Sequence, residues 1–224
     1  MKKIISILCI LIGVGIISVP FISNRLVKQS VNKSIVVLEE ISIEEIDENQ
    51  TREVEFDYSS VRDVSLSRVI TNTNEIDYKS IVGYLEIDDL NVYLPILKGV
   101  NDGNLLKGAT TMQEGQEMGK GNYSLAGHYI NDKKTLFGPL LDIEVGILVK
   151  ITNKRVIYEY KIYDTVLVPE TAMYMLDDER ADERGRPIIS LMTCYYTSKN
   201  GQRYFALGEL VDAYPYDSDT IEVE

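Results

Sequence analysis

From residue 81 onward the sequence breaks into short apolar runs separated by turn residues, and that texture restricts the fold more than any other feature. Seven runs stand out: "VGYLEI", "VYLPIL", "YSLAGHY", "ILVKIT", "RVIYEYKIYDTVLV", "IISLMTCYY" and "RYFALGELV". Many are rich in Val, Ile and Tyr, whose branched or aromatic side chains suit a pleated surface. In the longest, Val156, Tyr158, Tyr160 and Ile162 alternate with Ile157, Glu159 and Lys161, the period of two expected of a strand. Many short strands with few helical patterns imply an all-β sandwich or barrel.

The N-terminal part has a different texture. After Lys2 and Lys3, residues 4–22 carry no charge, "IISILCILIGVGIISVPFI", about enough to cross a hydrocarbon layer of roughly 30 Å as a helix. The run exceeds the apolar region of a cleaved signal, and no Ala-x-Ala site follows it, so an uncleaved anchor is expected over residues 1–25. Lys2 and Lys3 before the run are balanced by Arg25 and Lys28 after it, so charge alone barely sets the orientation. The large acidic part that follows favours an extracytoplasmic body behind a single-pass anchor in the cell membrane.

Residues 26–80 read as a stalk or helical prelude, with Ser34 as a candidate N-cap, Val36, Ile43 and Ile46 at helical spacing, and charges forming a solvated face. The β-rich part then covers residues 81–213, and an acidic tail residues 214–224.

Composition excludes several kinds of chemistry. Asp and Glu number 35 against 23 Lys and Arg, a net charge of -12, so the basic footprint of a nucleic-acid partner is missing. Two cysteines, Cys9 in the apolar run and Cys194, cannot form a disulfide framework, and a single histidine makes a Cys/His zinc site implausible. Asp102, Glu114 and Glu117 lie near the loop before His128 but lack the spacing of a dedicated calcium loop, so no cofactor is expected.

Three residues carry nucleophilic potential: His128 in "SLAGHY", Cys194 in "SLMTCYY" and Arg203 in "NGQRYFALGEL". Asn200-Gly201 between two apolar runs signals a hairpin, which makes the strands bearing Cys194 and Arg203 antiparallel neighbours. A two-residue turn sets Arg203 opposite Ser198, and a loop over 197–202 sets it opposite Tyr196. In either register Arg203 shares a face with Cys194, about 13 Å away along the strand in the first and about 7 Å in the second. Cationic neighbours stabilise a thiolate, an imidazole protonates a leaving amine, and a guanidinium stabilises an oxyanion, so the set suits acyl transfer through a thioester. Taken singly, each residue is more simply structural: a buried Cys, a strand His, an Arg stem over a hairpin end.

Taken together, "GNYSLAGHY", "SLMTCYY" and "QRYFALGEL" resemble, in order and approximate spacing, the sortases, cysteine transpeptidases of Gram-positive cell surfaces. The resemblance runs from about Val82 to Val211 and includes "VGYLEIDDLNVYLPILKGV". It implies an eight-stranded sortase-type β-barrel with short helices. It also implies that Cys194 attacks the Thr-Gly carbonyl of a Leu-Pro-x-Thr-Gly (LPXTG)-like sorting signal, that His128 shuttles protons to and from the amines, and that Arg203 holds the substrate and its oxyanion. By the same analogy Ala126, Val168 and Thr193 line the substrate groove, and a peptidoglycan-precursor amine (lipid II) resolves the acyl-enzyme. The chain is most similar to class A, since no Asp-Pro-aromatic lid sequence of the pilus type precedes the barrel. Ser190 replaces the family's usual Thr, and Tyr129 follows His128 where some relatives have a second His. An L,D-transpeptidase would need a Ser-x-Gly-Cys-x-Arg pattern, which is absent. A non-catalytic surface β-domain would keep Cys194 buried and inert.

Overall fold

The computed structural model describes residues 2–72 and 78–217. Eight strands close into a barrel in the order β1-β2-β3-β4-β7-β8-β6-β5. They are β1 (Ile81–Ile87), β2 (Val92–Leu97), β3 (Ala109–Thr111), β4 (Asn122–Ala126), β5 (Leu148–Thr152), β6 (Val156–Pro169), β7 (Ile188–Cys194) and β8 (Gln202–Pro215). Seven coincide with the apolar runs. The eighth, β3, is a three-residue strand in a Gly-rich stretch, parallel to β2 and antiparallel to β4; it is too short to show a period.

Side chains on the two faces of the strands feed separate apolar clusters. One includes Leu85, Ile87, Leu94, Ile96, Leu125, Val149, Ile151 and Leu191, all buried. The other gathers Met112, Ala126, Met175, Met192, Cys194 and Phe205. Gly83 is required where β1 meets β5: its φ is +151°, and a Cβ there would collide with the Thr152 carbonyl.

The N-terminal part is helical. α1 is one continuous helix, Lys2–Glu40, and its most apolar 18-residue window, mean hydropathy 2.7, packs against nothing in the chain. By length and composition that stretch can cross a membrane. Beyond it, Val27, Val31, Ser34 and Leu38 are buried, at the i, i+4, i+7, i+11 spacing of one helix face. Ser34 is therefore interior to α1 rather than an N-cap, and its hydroxyl donates to the Ser30 carbonyl.

The chain then breaks and restarts at α2 (Ile43–Thr51), capped by Ser42, whose hydroxyl accepts from the Glu45 N–H while the Glu45 carboxylate accepts from the Ser42 N–H. Asn49 donates to the Ile81 carbonyl, and Lys154 reaches the carbonyls of Leu38 and Ile41, so this region is fastened to the barrel. A third helix, α3 (Leu66–Asn72), packs against α1. At the other end β8 continues to Pro215, two residues into the expected tail, and residues 218–224 of that tail lie outside the described residues.

Candidate active site

Parallel pairing of β4 with β7 sets Ala126 beside Met192. The pairing continues past β4, since the Gly127 N–H donates to the Met192 carbonyl and the Thr193 hydroxyl donates to the Gly127 carbonyl. His128 follows Gly127 directly, just beyond the end of β4. On the other side of β7, antiparallel pairing sets Cys194 directly opposite Arg203 of β8. Cys194 and Arg203 thus face each other across adjacent strands, and His128 lies just past the end of the strand on the other side of β7.

The observed register of Cys194 and Arg203 is neither of the two expected. The connection spans 195–201, wider than a loop over 197–202. Asn200-Gly201 ends a short 3-10 turn (Ser198–Asn200) capped by Thr197, with Gly201 at φ 66° and Tyr196 also left-handed at φ 61°. The turn is held by Asn200 donating to the Tyr195 carbonyl. The shared face survives because each widening moves the register by two.

All three residues are buried: Cys194 is 2% exposed, His128 3% and Arg203 9%. Burial pushes the Cys194 thiol up to about 11; Arg203 pulls it down, while Asp63 and Glu170 raise it further. Burial pushes His128 down to about 4, opposed by Asp63. At neutral pH the site therefore holds a protonated thiol and a neutral imidazole. The Arg203 guanidinium is engaged at both terminal nitrogens: Nη1 donates to the Gln202 carbonyl at 3.1 Å, and Nη2 to the Val61 carbonyl at 3.0 Å and to Glu170 Oε2 at 2.9 Å.

The groove residues fare differently. Ala126 lies in the Cys194 cluster, and Val168 of β6 pairs with Arg203 and packs at that cluster's edge. Thr193 does not open onto the groove. Strand alternation sends its side chain to the opposite face from Cys194, fully buried, where its hydroxyl is spent on the Gly127 carbonyl just before His128.

The three acids considered for calcium are dispersed. Asp102 pairs with Arg68 at 3.2 Å, Glu117 pairs with Lys120, and among the described residues no group of three potential ligands forms. Sequence reasoning missed Val61, Asp63 and Glu170. The first two come from a segment read as a solvated face, and no local pattern marks residues whose partners lie more than 130 positions away.

A sortase-domain family model matches residues 85–211. Sortase A of Listeria monocytogenes is 36% identical over 210 residues, 94% of this chain and 91% of that protein. Sortase A of Bacillus anthracis is 30% identical over 210 residues, 93% of this chain and 94% of its own length. The crystal structure of the Listeria sortase A superposes with a TM-score of 0.58 at 34% identity, over 62% of this chain and 93% of that one. Sortase C-3 of Streptococcus pneumoniae, 20% identical, shares the fold over 85% of this chain and 95% of its own, with a TM-score of 0.59. A family match over more than half the chain and two curated sortase A relatives covered almost end to end lead to one conclusion: the chain belongs to the sortase family of cysteine transpeptidases, with its relatives in class A.

Proposed function

We propose that this sortase cleaves an LPXTG-like sorting signal between Thr and Gly and transfers the surface protein to an amine of a peptidoglycan precursor such as lipid II. The observation that carries the reading is Cys194 of β7 directly opposite Arg203 of β8, with His128 two residues beyond β4, the strand paired to β7 on its other side. His128 takes the thiol proton as sulfur bonds to the Thr carbonyl carbon, and Arg203 donates to the oxyanion. The intermediate collapses with loss of the C–N bond, and the same proton passes from His128 to the departing glycine amine. The incoming amine then adds to the thioester, the C–S bond breaks, and the proton lost by that amine returns through His128 to the thiolate. A neutral imidazole beside a protonated thiol is the starting state this sequence needs. Thr193 supports the turn that delivers His128, while Ala126 and Val168 flank the groove.

The apolar stretch of α1 is the single-pass anchor, and the barrel faces outward, where sorting signals and wall precursors meet. The test uses the full chain in detergent micelles with a quenched fluorescent peptide containing Leu-Pro-x-Thr-Gly and added triglycine. A triglycine-ligated product by mass spectrometry, absent with Cys194→Ala, is the expected result. A folded enzyme that leaves every sorting-motif variant intact refutes the substrate assignment.

A further inference from the structure

Val168 and Pro169 end β6, Glu170 follows them, and the antiparallel ladder with β8 fixes where each side chain goes. Val168 pairs with Arg203 and Pro169 with Gln202, and one step further the Glu170 N–H donates to the Gly201 carbonyl at 2.8 Å. Side chains alternate along a strand, so Glu170 shares a face with Val168, and therefore with Arg203 and Cys194. It stands diagonally across the ladder from Arg203, a separation that two long side chains can span. They meet: Glu170 Oε2 accepts from Arg203 Nη2 at 2.9 Å.

That contact decides which donors of Arg203 stay free. A guanidinium presents its N–H donors in a rigid planar fork. Glu170 and the Val61 carbonyl take the hydrogens of Nη2, and the Gln202 carbonyl takes one of Nη1. Among the described residues no acceptor takes the Nε hydrogen or the second one on Nη1, so these are left for an oxyanion. Two carboxylates raise the Cys194 thiol, Asp63 and Glu170. Asp63 is committed to the loop after Cys194, accepting from the Thr197 hydroxyl at 2.7 Å and from the Ser198 N–H at 2.5 Å. Glu170 is committed to the guanidinium. Its charge makes the thiol a weaker acid and so opposes thiolate formation, which means that its contribution to the reaction lies in what it does to Arg203.

We propose that Glu170 is a positioning residue for Arg203, holding the guanidinium by Nη2 so that its unpaired donors are already oriented when an oxyanion forms at Cys194. The use of those donors rests on the function proposed above; the hold on the guanidinium does not. A free arginine side chain has many rotamers to lose, whereas a donor fixed beforehand stabilises a developing charge without being ordered at that moment. Glu170 is half-exposed and borders an open basin of about 380 Å³ together with Arg203 and Ser198, so replacing it empties no core position. Alkylation and acylation then respond in opposite directions. Alkylation needs only the thiolate, which the carboxylate suppresses; acylation also needs the oxyanion donor, which the carboxylate holds.

The experiment uses the full chain in micelles in a Cys9→Ser background, which leaves Cys194 the only thiol. Sorting-peptide cleavage gives kcat and KM, and iodoacetamide alkylation followed by intact mass reports the thiolate. Spectra of ¹⁵N-arginine chains report rotation of the Arg203 Nη groups, whose signals are identified by their loss in Arg203→Lys. Glu170→Gln should lower kcat about tenfold with KM nearly unchanged, the scale of freeing one arginine side chain. Alkylation should quicken in the same variant, and the slowly rotating Arg203 signals should merge into an averaged one. Glu170→Asp keeps the charge but draws it back by one methylene, so kcat should fall as far with alkylation unchanged. Cleavage that holds or rises in Glu170→Gln overturns the proposal, and so does a joint fall of cleavage and alkylation, or slow Arg203 rotation that persists. If the unaltered chain cleaves no sorting peptide, the sorting-signal reading fails, and the rotation in Glu170→Gln still decides whether Glu170 holds Arg203.

Discussion

The single histidine offers a direct measurement of the site's electrostatics. Burial holds His128 at about 4 against an ordinary 6.5, a difference near 2.5 units. At about 1.36 kcal/mol per unit, the native state prefers the neutral imidazole by roughly 3 kcal/mol more than the unfolded chain does. Above pH 6.5 both states are neutral and this preference is fully present as stability. Between 6.5 and 4 the unfolded chain takes up a proton that the native one refuses, so stability drains away as pH falls through that window. Labelling histidine with ¹³C in the full chain yields one imidazole resonance, whose chemical shift against pH reports the midpoint without assignment. The expected midpoint is near 4. A midpoint near 6.5 in the unaltered chain would show that the imidazole is solvated, and the argument from burial would fail.

Three further substitutions probe the framework. Gly127→Ala brings a Cβ to 2.5 Å from the buried Phe137 ring, an overpacking that should cost about 1–3 kcal/mol, visible as a lowered Tm. The turn into His128 shifts with it, so cleavage should fall more than stability does. Tyr160→Phe removes the hydroxyl that accepts from the Gly119 N–H at 3.0 Å; chemical denaturation should show a loss of about 1–3 kcal/mol with peptide cleavage unchanged. Glu170→Gln removes a carboxylate that raises the Cys194 thiol and pairs with Arg203, so alkylation at pH 8 should quicken. The pair is half-exposed on the Glu170 side, so Tm should barely move.

Much of the barrel was legible because its strands are long enough to show a period or an apolar run bounded by turns. β3 was not, since three residues between Gly108 and Gln116 carry no periodicity and owe their strand state to neighbours. The pairing of Cys194 with Arg203 followed in direction and face from alternation, but its register depended on the 195–201 loop. That loop takes its shape partly from Asp63, and sequence alone cannot foresee a tie across that separation. Thr193 was expected in the groove on motif analogy, yet adjacency to Cys194 in a strand already dictates the opposite face. Residues 26–72 were legible in part. Helical spacing of Val36, Ile43 and Ile46 was legible there, but the face the barrel covers is a sparse one of Val27, Val31, Leu38 and Ile46.

The strand order also bears on how the protein comes into being. β8 is the last strand of the barrel in sequence but not in space: it is inserted between β6 and β7, joined to β6 from end to end and to β7 over Arg203–Glu209. Until it arrives the sheet is split at the place where the thiol will be presented, and Arg203 travels on that same strand. A chain emerging N-terminus first therefore passes through its synthesis with an incomplete site. The facing of Cys194 and Arg203 is set by the closing of the barrel, in the same event that completes the fold.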